Sequence, residues 1–298
     1  ITNTLTAITV EGCSATDAPA AAGTVAELEA LAGAIAVSDN CTTDANLVVT
    51  HSDASSGTCP VVVTRTYTVT DDCGNSTSIV QTINVDDSTA PAVAGLLGIT
   101  TVEGCAVSDA PAAVTTVAAL EALVGGVTIT DACTADASLT VSSSDAVSGT
   151  CPIVITRTYT ITDACGNSSN LVHTIRINDT QPPVVVGAPV ATIVEGCNVS
   201  AAPAAVTTVA ALEALSGIVS ISDVCTADAN LTVSHIDVVN GTCPIVVTRT
   251  YRVTDACGNY TSIIHTINIQ DTTSPVIAGV LTGVTIEGCS VAAAPPAA

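Results

Sequence analysis

The 298-residue sequence has no Lys, Phe, Trp or Met and only four Tyr. Against 27 acidic residues stand five Arg, so the net charge is -22. With no basic stripe there is no surface to neutralise phosphates, which excludes nucleic-acid binding. The same charge repels anionic lipid. Although 48% of residues are apolar, they are aliphatic or Cys almost throughout. A core built from them is thin and needs support from elsewhere. Long hydrophobic runs are missing too: the stretch from Pro183 to Val194 is broken by proline and falls short of the roughly 20 residues needed to span a bilayer. No basic segment followed by an apolar one opens the chain, so Ile1 reads as the start of a mature or excised piece.

What the sequence does have is cysteine at one fixed interval. Cys13, Cys105, Cys197 and Cys289 each follow Glu-Gly, and their spacing is 92 residues. The same period relates Cys41, Cys133 and Cys225, then Cys59, Cys151 and Cys243 before Pro, then Cys73, Cys165 and Cys257 before Gly-Asn. Such self-similarity is the mark of a tandem array. It divides the chain into copies at 1–91, 92–183 and 184–275, with 276–298 the start of a truncated fourth. Prolines 91, 183 and 275 stiffen the junctions.

Within a copy, Val61 to Thr70 alternates apolar and polar residues, with Val61, Val63, Tyr67 and Val69 on one face. That is a half-buried strand, and Ser78 to Asp86 reads the same way. Shorter strands are predicted at Ile8–Val10, Ala34–Val37 and Leu47–Thr50. Five or more strands imply an all-β sandwich. One short helix interrupts them: Thr24 caps it, Val25, Leu28 and Leu31 recur at helical spacing, Glu27 completes a capping box, and Gly33 ends it. Ala119 and Ala211 replace that Glu in the later copies.

Four cysteines per copy allow three pairings. Alternating strand direction carries Cys13 and Cys59 to one pole and Cys41 and Cys73 to the other, which predicts Cys13–Cys59 and Cys41–Cys73. The equivalents are Cys105–Cys151, Cys133–Cys165, Cys197–Cys243 and Cys225–Cys257. Two staples per copy make up for the thin core and place the chain outside the cytosol.

The segment Thr64-Arg65-Thr66-Tyr67-Thr68-Val69-Thr70-Asp71-Asp72-Cys73-Gly74-Asn75-Ser76-Thr77, with Ile83-Asn84-Val85-Asp86-Asp87-Ser88-Thr89-Ala90-Pro91, resembles the hyalin-repeat-like, immunoglobulin-like modules of giant bacterial surface proteins. The resemblance recurs at Thr162–Asn167 and Thr254–Asn259. It implies tandem immunoglobulin-like sandwiches, in arrays like those of Bacteroidota adhesins, gliding-motility adhesins exported by the type IX route among them.

Candidate chemistry is sparse. The histidines, His51, His173, His235 and His265, do not recur in every copy, so no nucleophile–base set is expected and the chain does not read as an enzyme. Arg65, Arg157 and Arg249 fall on the inward face and are read as structural ion-pair residues, with Glu11, Glu103 or Glu195 the expected type of partner. No resident cofactor is expected. Asp87, Asp179 and Asp271, with Asp71, Asp163 and Asp255 of the adjoining turns, are weak candidates for calcium. Ser88 and Thr272 lie in Asp-Ser-Thr and Asp-Thr-Thr and resemble Bacteroidota O-glycosylation sites. The expected role is a structural segment of an extracellular cell-surface stalk or filament, each module adding roughly 35–45 Å. Its partners would be neighbouring repeats of the same long chain, with surface polysaccharide or other cells met by regions outside this segment. The alternative is a glycan- or protein-binding module. Repeated, aromatic-free loops at Thr42–Asn46, Thr134–Ser138 and Thr226–Asn230 favour the stalk.

Overall fold

The computed structural model describes residues 1–279 and positions 283, 285 and 287. Cys289 and most of residues 276–298 lie outside the described residues. The chain divides into two compact units, Ile1–Thr180 and Gln181–Ala298. The first holds copies one and two, the second copy three.

In copy one, β1 (Ile8–Glu11) precedes α1 (Val25–Glu29), followed by β2 (Val48–Ser56), β3 (Val61–Thr70) and β4 (Ser76–Asp86). Copy two adds β5 (Ala92–Ala94), β6 (Thr100–Glu103), α2 (Val117–Glu121), β7 (Thr128–Thr130), β8 (Thr140–Ser148), β9 (Ile153–Thr162) and β10 (Ser168–Asn178). Copy three repeats this as β11 (Val184–Gly187), β12 (Thr192–Glu195), α3 (Val209–Glu213), β13 (Ile218–Ser222), β14 (Thr232–Asn240), β15 (Ile245–Thr254) and β16 (Tyr260–Gln270). The fold is all-β, as expected. Each copy carries a four-stranded sheet, ordered β1-β4-β3-β2 in the first. Its hairpins are antiparallel, but β1 runs parallel to β4, with Glu11 opposite Asp86. Both strands therefore end at one pole, where the β2–β3 hairpin also turns. A second, minor layer faces this sheet: β5 with β7 in copy two, β11 with β13 in copy three, and a single bridge between Thr2 and Ala36 in copy one. The expected strand at Ala34–Val37 shrinks there to that one bridge.

The core lies between the layers. Val63, Tyr67 and Val69 of β3 and Ile83 and Val85 of β4 are buried. Tyr67 and Val69 pack with Val25 and Leu28 of α1 and with Ile35 and Val37, whereas Val63, Ile83 and Val85 pack with Ile8 and Val10. Five residues are too few for an independent helix, so burial of Val25 and Leu28 holds α1 in place. The Thr24 hydroxyl accepts the N–H of Glu27, and the Glu27 carboxylate accepts that of Gly23. Gly33 sits at φ +128°, where a Cβ would collide with the Thr4 carbonyl, so only glycine allows the chain to turn there.

Candidate functional site at the repeat junction

Cysteine chemistry departs from expectation. Cys13 and Cys59 do lie at one pole of copy one and Cys41 and Cys73 at the other, but neither pair is bonded within its pole. Cys13 is bonded to Cys133 and Cys59 to Cys165, with Cα separations of 4.9 and 5.3 Å. Both bonds cross from copy one to copy two. The predicted Cys13–Cys59 and Cys41–Cys73 pairs, and with them Cys133–Cys165, are thereby corrected. The physical reason is that cysteines at one pole sit on loops directed at the neighbouring copy, so the partner each meets is on the facing pole. Cys105, Cys151, Cys225 and Cys257 are also disulfide-bonded. Cys41, Cys73, Cys197 and Cys243 are free and exposed, which also overturns the pairing expected between Cys197 and Cys243.

The loops that carry these cysteines are held by local carboxylates. Asp17 accepts the backbone N–H groups of Cys13 and Ser14, both at 2.9 Å. Asp131 accepts those of Cys133 and Thr134, at 2.9 and 2.7 Å. Asp163 accepts those of Cys165 and Asn167, at 2.8 and 2.9 Å. Short Asp side chains satisfy turn N–H groups in this way and so fix the direction in which each sulfur leaves the loop.

The linker is clamped as well. Glu11, next to Gly12-Cys13, accepts the Ser88 hydroxyl at 2.6 Å and the Thr89 hydroxyl at 3.0 Å. The Ser88 hydroxyl and N–H hold its carboxyl below the usual range. Glu103 grips Thr180, and Glu195 grips Thr272 and Thr273, in the same manner. Glu11, Glu103 and Glu195 are therefore linker clamps and not partners of the buried arginines. From the other side, Asn167 donates to the Asp87 carbonyl (2.8 Å) and Ser169 to that of Pro91 (2.6 Å). Ser88 and Thr272, the candidate glycosylation residues, have their hydroxyls committed to Glu11 and Glu195.

Beneath the linker sits a carboxylate cluster. Asp87 is 4% exposed; one oxygen accepts Thr89 N–H at 3.1 Å and the other, Oδ2, has no hydrogen-bond partner. Burial above all, with the charges of Asp131, Asp163 and Glu11, pushes its carboxyl up from the ordinary value. Oxygens of Asp87 and Asp163 lie within 4.8 Å of each other. Of the other calcium candidates, Asp179 and Asp255 are buried, Asp71 is half-buried in the turn before Asn75, and Asp271 is exposed.

Arg65, Arg157 and Arg249 are buried and paired, each with the edge-strand Asp opposite it. Arg65 forks onto Asp53 at 2.9 and 2.8 Å, Arg157 onto Asp145 and Arg249 onto Asp237. Their remaining nitrogens reach the carbonyls of Pro19, Pro111 and Pro203. The Tyr67, Tyr159 and Tyr251 hydroxyls accept N–H groups of Ala22, Val114 and Val206. Each Arg–Tyr pair thus pins the segment that crosses the sheet. His173 and His265 occupy strand positions but are buried, each bonded through Nε2 to a threonine hydroxyl at 2.8 Å, and burial lowers their pKa. His51 and His235 are exposed on edge strands. Among the described residues, no histidine is brought to a nucleophile–oxyanion arrangement.

No helix of the described residues is long and apolar enough to cross a membrane. The family model for the HYR-like domain with four cysteines matches residues 107–177, inside the second copy. No curated protein matches the chain. Among solved structures it is similar to protocadherin gamma B2 extracellular cadherin domains 1–5, at 12% identity and TM-score 0.28 over 72% of this chain and 46% of that one. Drosophila N-cadherin EC1–3 gives 12% identity and 0.29 over 90% and 98%, and mouse cadherin-23 EC22–24 gives 13% and 0.28 over 90% and 96%. The chain spans less than half the length of the first of these.

Proposed function

We propose that this chain is a load-bearing segment of an extracellular adhesive stalk whose modules are linked to one another by disulfides as well as by the backbone. The observation that carries the reading is the pair of bonds from Cys13 to Cys133 and from Cys59 to Cys165. Such bonds persist only in oxidising surroundings. Each ties two modules together, and its long loop also restricts the unfolded chain of both. Their effect is to make the junction a three-stranded connection, with linker and two sulfur bridges side by side.

The period extends the scheme. Cys41 and Cys73 stand where Cys133 and Cys165 stand in the second copy, and Cys197 and Cys243 where Cys13 and Cys59 stand in the first. In the present chain these four are free. Each pair is half of a junction, complementary to a further module with the same cysteine set. The resemblance to giant adhesin modules supports a bacterial cell surface as the setting, and within it gliding adhesins carried by the type IX route. The net charge of -22 keeps neighbouring stalks apart.

The test is immunolabelled negative-stain electron microscopy of intact cells with antibody to the repeats. Labelled thin threads with a repeat near 4 nm are expected, from roughly 3.3 Å per strand residue. Label confined to compact particles would contradict the stalk. Loss of the label from cells lacking the type IX machinery is the result expected for that export route, and its retention would exclude that route.

A further inference from the structure

The geometry points to a divalent-cation site at the junction of the first two copies, formed by Asp87 of the linker with Asp163 of the second copy, and suited to calcium. Three features carry it. Asp87 is 4% exposed and its Oδ2 has no hydrogen-bond partner. A buried carboxylate oxygen left in that state carries a large desolvation cost unless a proton or a cation meets it.

Its surroundings are also of one sign. Asp131, Asp163 and Glu11 all act on Asp87 by charge. The ion pairs of Arg65, Arg157 and Arg249 are made with Asp53, Asp145 and Asp237, away from this cluster. Spacing is the third feature, because Asp87 and Asp163 oxygens within 4.8 Å of each other match what two ligands at about 2.3–2.6 Å from one calcium subtend. Asp163 already accepts three N–H bonds, from Cys165, Asn167 and the Asn167 amide. Its two oxygens offer about four acceptor positions, so one is left for a metal. The Cys165 sulfur lies in the same group but is bonded to Cys59 and does not ligate.

The chain contains its own control. Asp39 and Asp71 are the first-copy counterparts of Asp131 and Asp163 and make the same turn hydrogen bonds. Asp39 is exposed and Asp71 half-buried, whereas Asp163 is buried. Burial of Asp163 beside Asp87 distinguishes the junction turn from its more solvated first-copy counterpart. All ligands are hard oxygens, which favours calcium over softer transition metals.

The experiment is calorimetric titration of calcium chloride into the full oxidised chain after EDTA treatment and dialysis, with thermal unfolding read in parallel. The wild-type chain is expected to bind calcium and to gain several degrees in Tm. The bound count falls by one in Asp87→Asn and is unchanged in Asp39→Asn, both checked for fold by circular dichroism. If Asp87→Asn does not fold, Asp163→Asn carries the same expectation, and the wild-type Tm response is read on its own. No heat and no Tm change at millimolar calcium, or an undiminished count in Asp87→Asn, would overturn the site. The outcome is independent of the stalk reading, which rests on the disulfides.

Discussion

Arg65 shows how one residue can be placed by sequence while its partner is not. Its inward phase in an alternating strand is legible, and the structure buries it to 5% exposure. The partner, Asp53, lies in the second half of β2, His51-Ser52-Asp53-Ala54-Ser55-Ser56, which has no apolar alternation and gives no strand signal. Hydrogen bonding along β3 recruits that polar segment into the sheet, and only then does Asp53 come opposite Arg65. Asp53→Asn should cost about 1–2 kcal/mol in denaturant unfolding, in the range for hydrogen bonds to a charged group and discounted because the carboxylate is partly solvated. An unchanged midpoint would show that the pair contributes nothing.

The acidic residues also set a pH response with two signs. The fork from Arg65 holds the Asp53 carboxyl below its ordinary value, so its stabilisation is complete above the unfolded pKa of about 3.9 and is lost as pH falls through the lower folded value. Asp87 behaves oppositely: with its folded pKa raised, chiefly by burial, the folded state takes up a proton first. In EDTA, stability should therefore rise as pH is lowered from 7 toward about 4, over the window between the raised and unfolded values. Asp87→Asn should remove that rise, as should saturating calcium in the wild type. A flat wild-type profile in EDTA over this window would contradict the assignment.

At the scale of elements, pattern-bearing segments were readable and polar ones were not. Strands β3 and β4 and helix α1 appear where alternation, helical spacing and the Thr24 cap place them. The parallel pairing of β1 with β4 has no local signal, since it depends on how the chain returns across the sheet. Likewise Glu29, Glu121 and Glu213 turn out to accept the N–H groups of Val37, Ile129 and Ile221 at 2.7–2.8 Å, tying each helix to the following segment. Since Ala119 removes the reciprocal half of the capping box, α2 depends on Thr116 alone for its cap. Thr116→Ala should cost about 1 kcal/mol by equilibrium unfolding; a cost below a few tenths would show that packing of Val117 and Leu120 suffices.

For the whole molecule, the 92-residue period was the strongest signal in the sequence, and it assigned the cysteines to poles. Strand direction then led to pairing within a pole, which is wrong because a pole's two cysteines can meet the facing pole of a neighbour instead of each other. Only the three-dimensional join of copies one and two distinguishes these. The answer changes how force travels: tension entering at Cys13 passes directly to Cys133, and residues 14–132 are shielded from it while that bond is intact. Single-molecule force spectroscopy on the full chain, oxidised and then with reductant, tests this most directly. With reductant, modules should unfold in steps near 300 Å, about 3.3–3.6 Å for each residue of a 92-residue copy. Without it, the first two copies should release less than half the length that they release when reduced. Equal extension in the two conditions would contradict a covalent bridge across the junction and leave the backbone linker as the only connection bearing load.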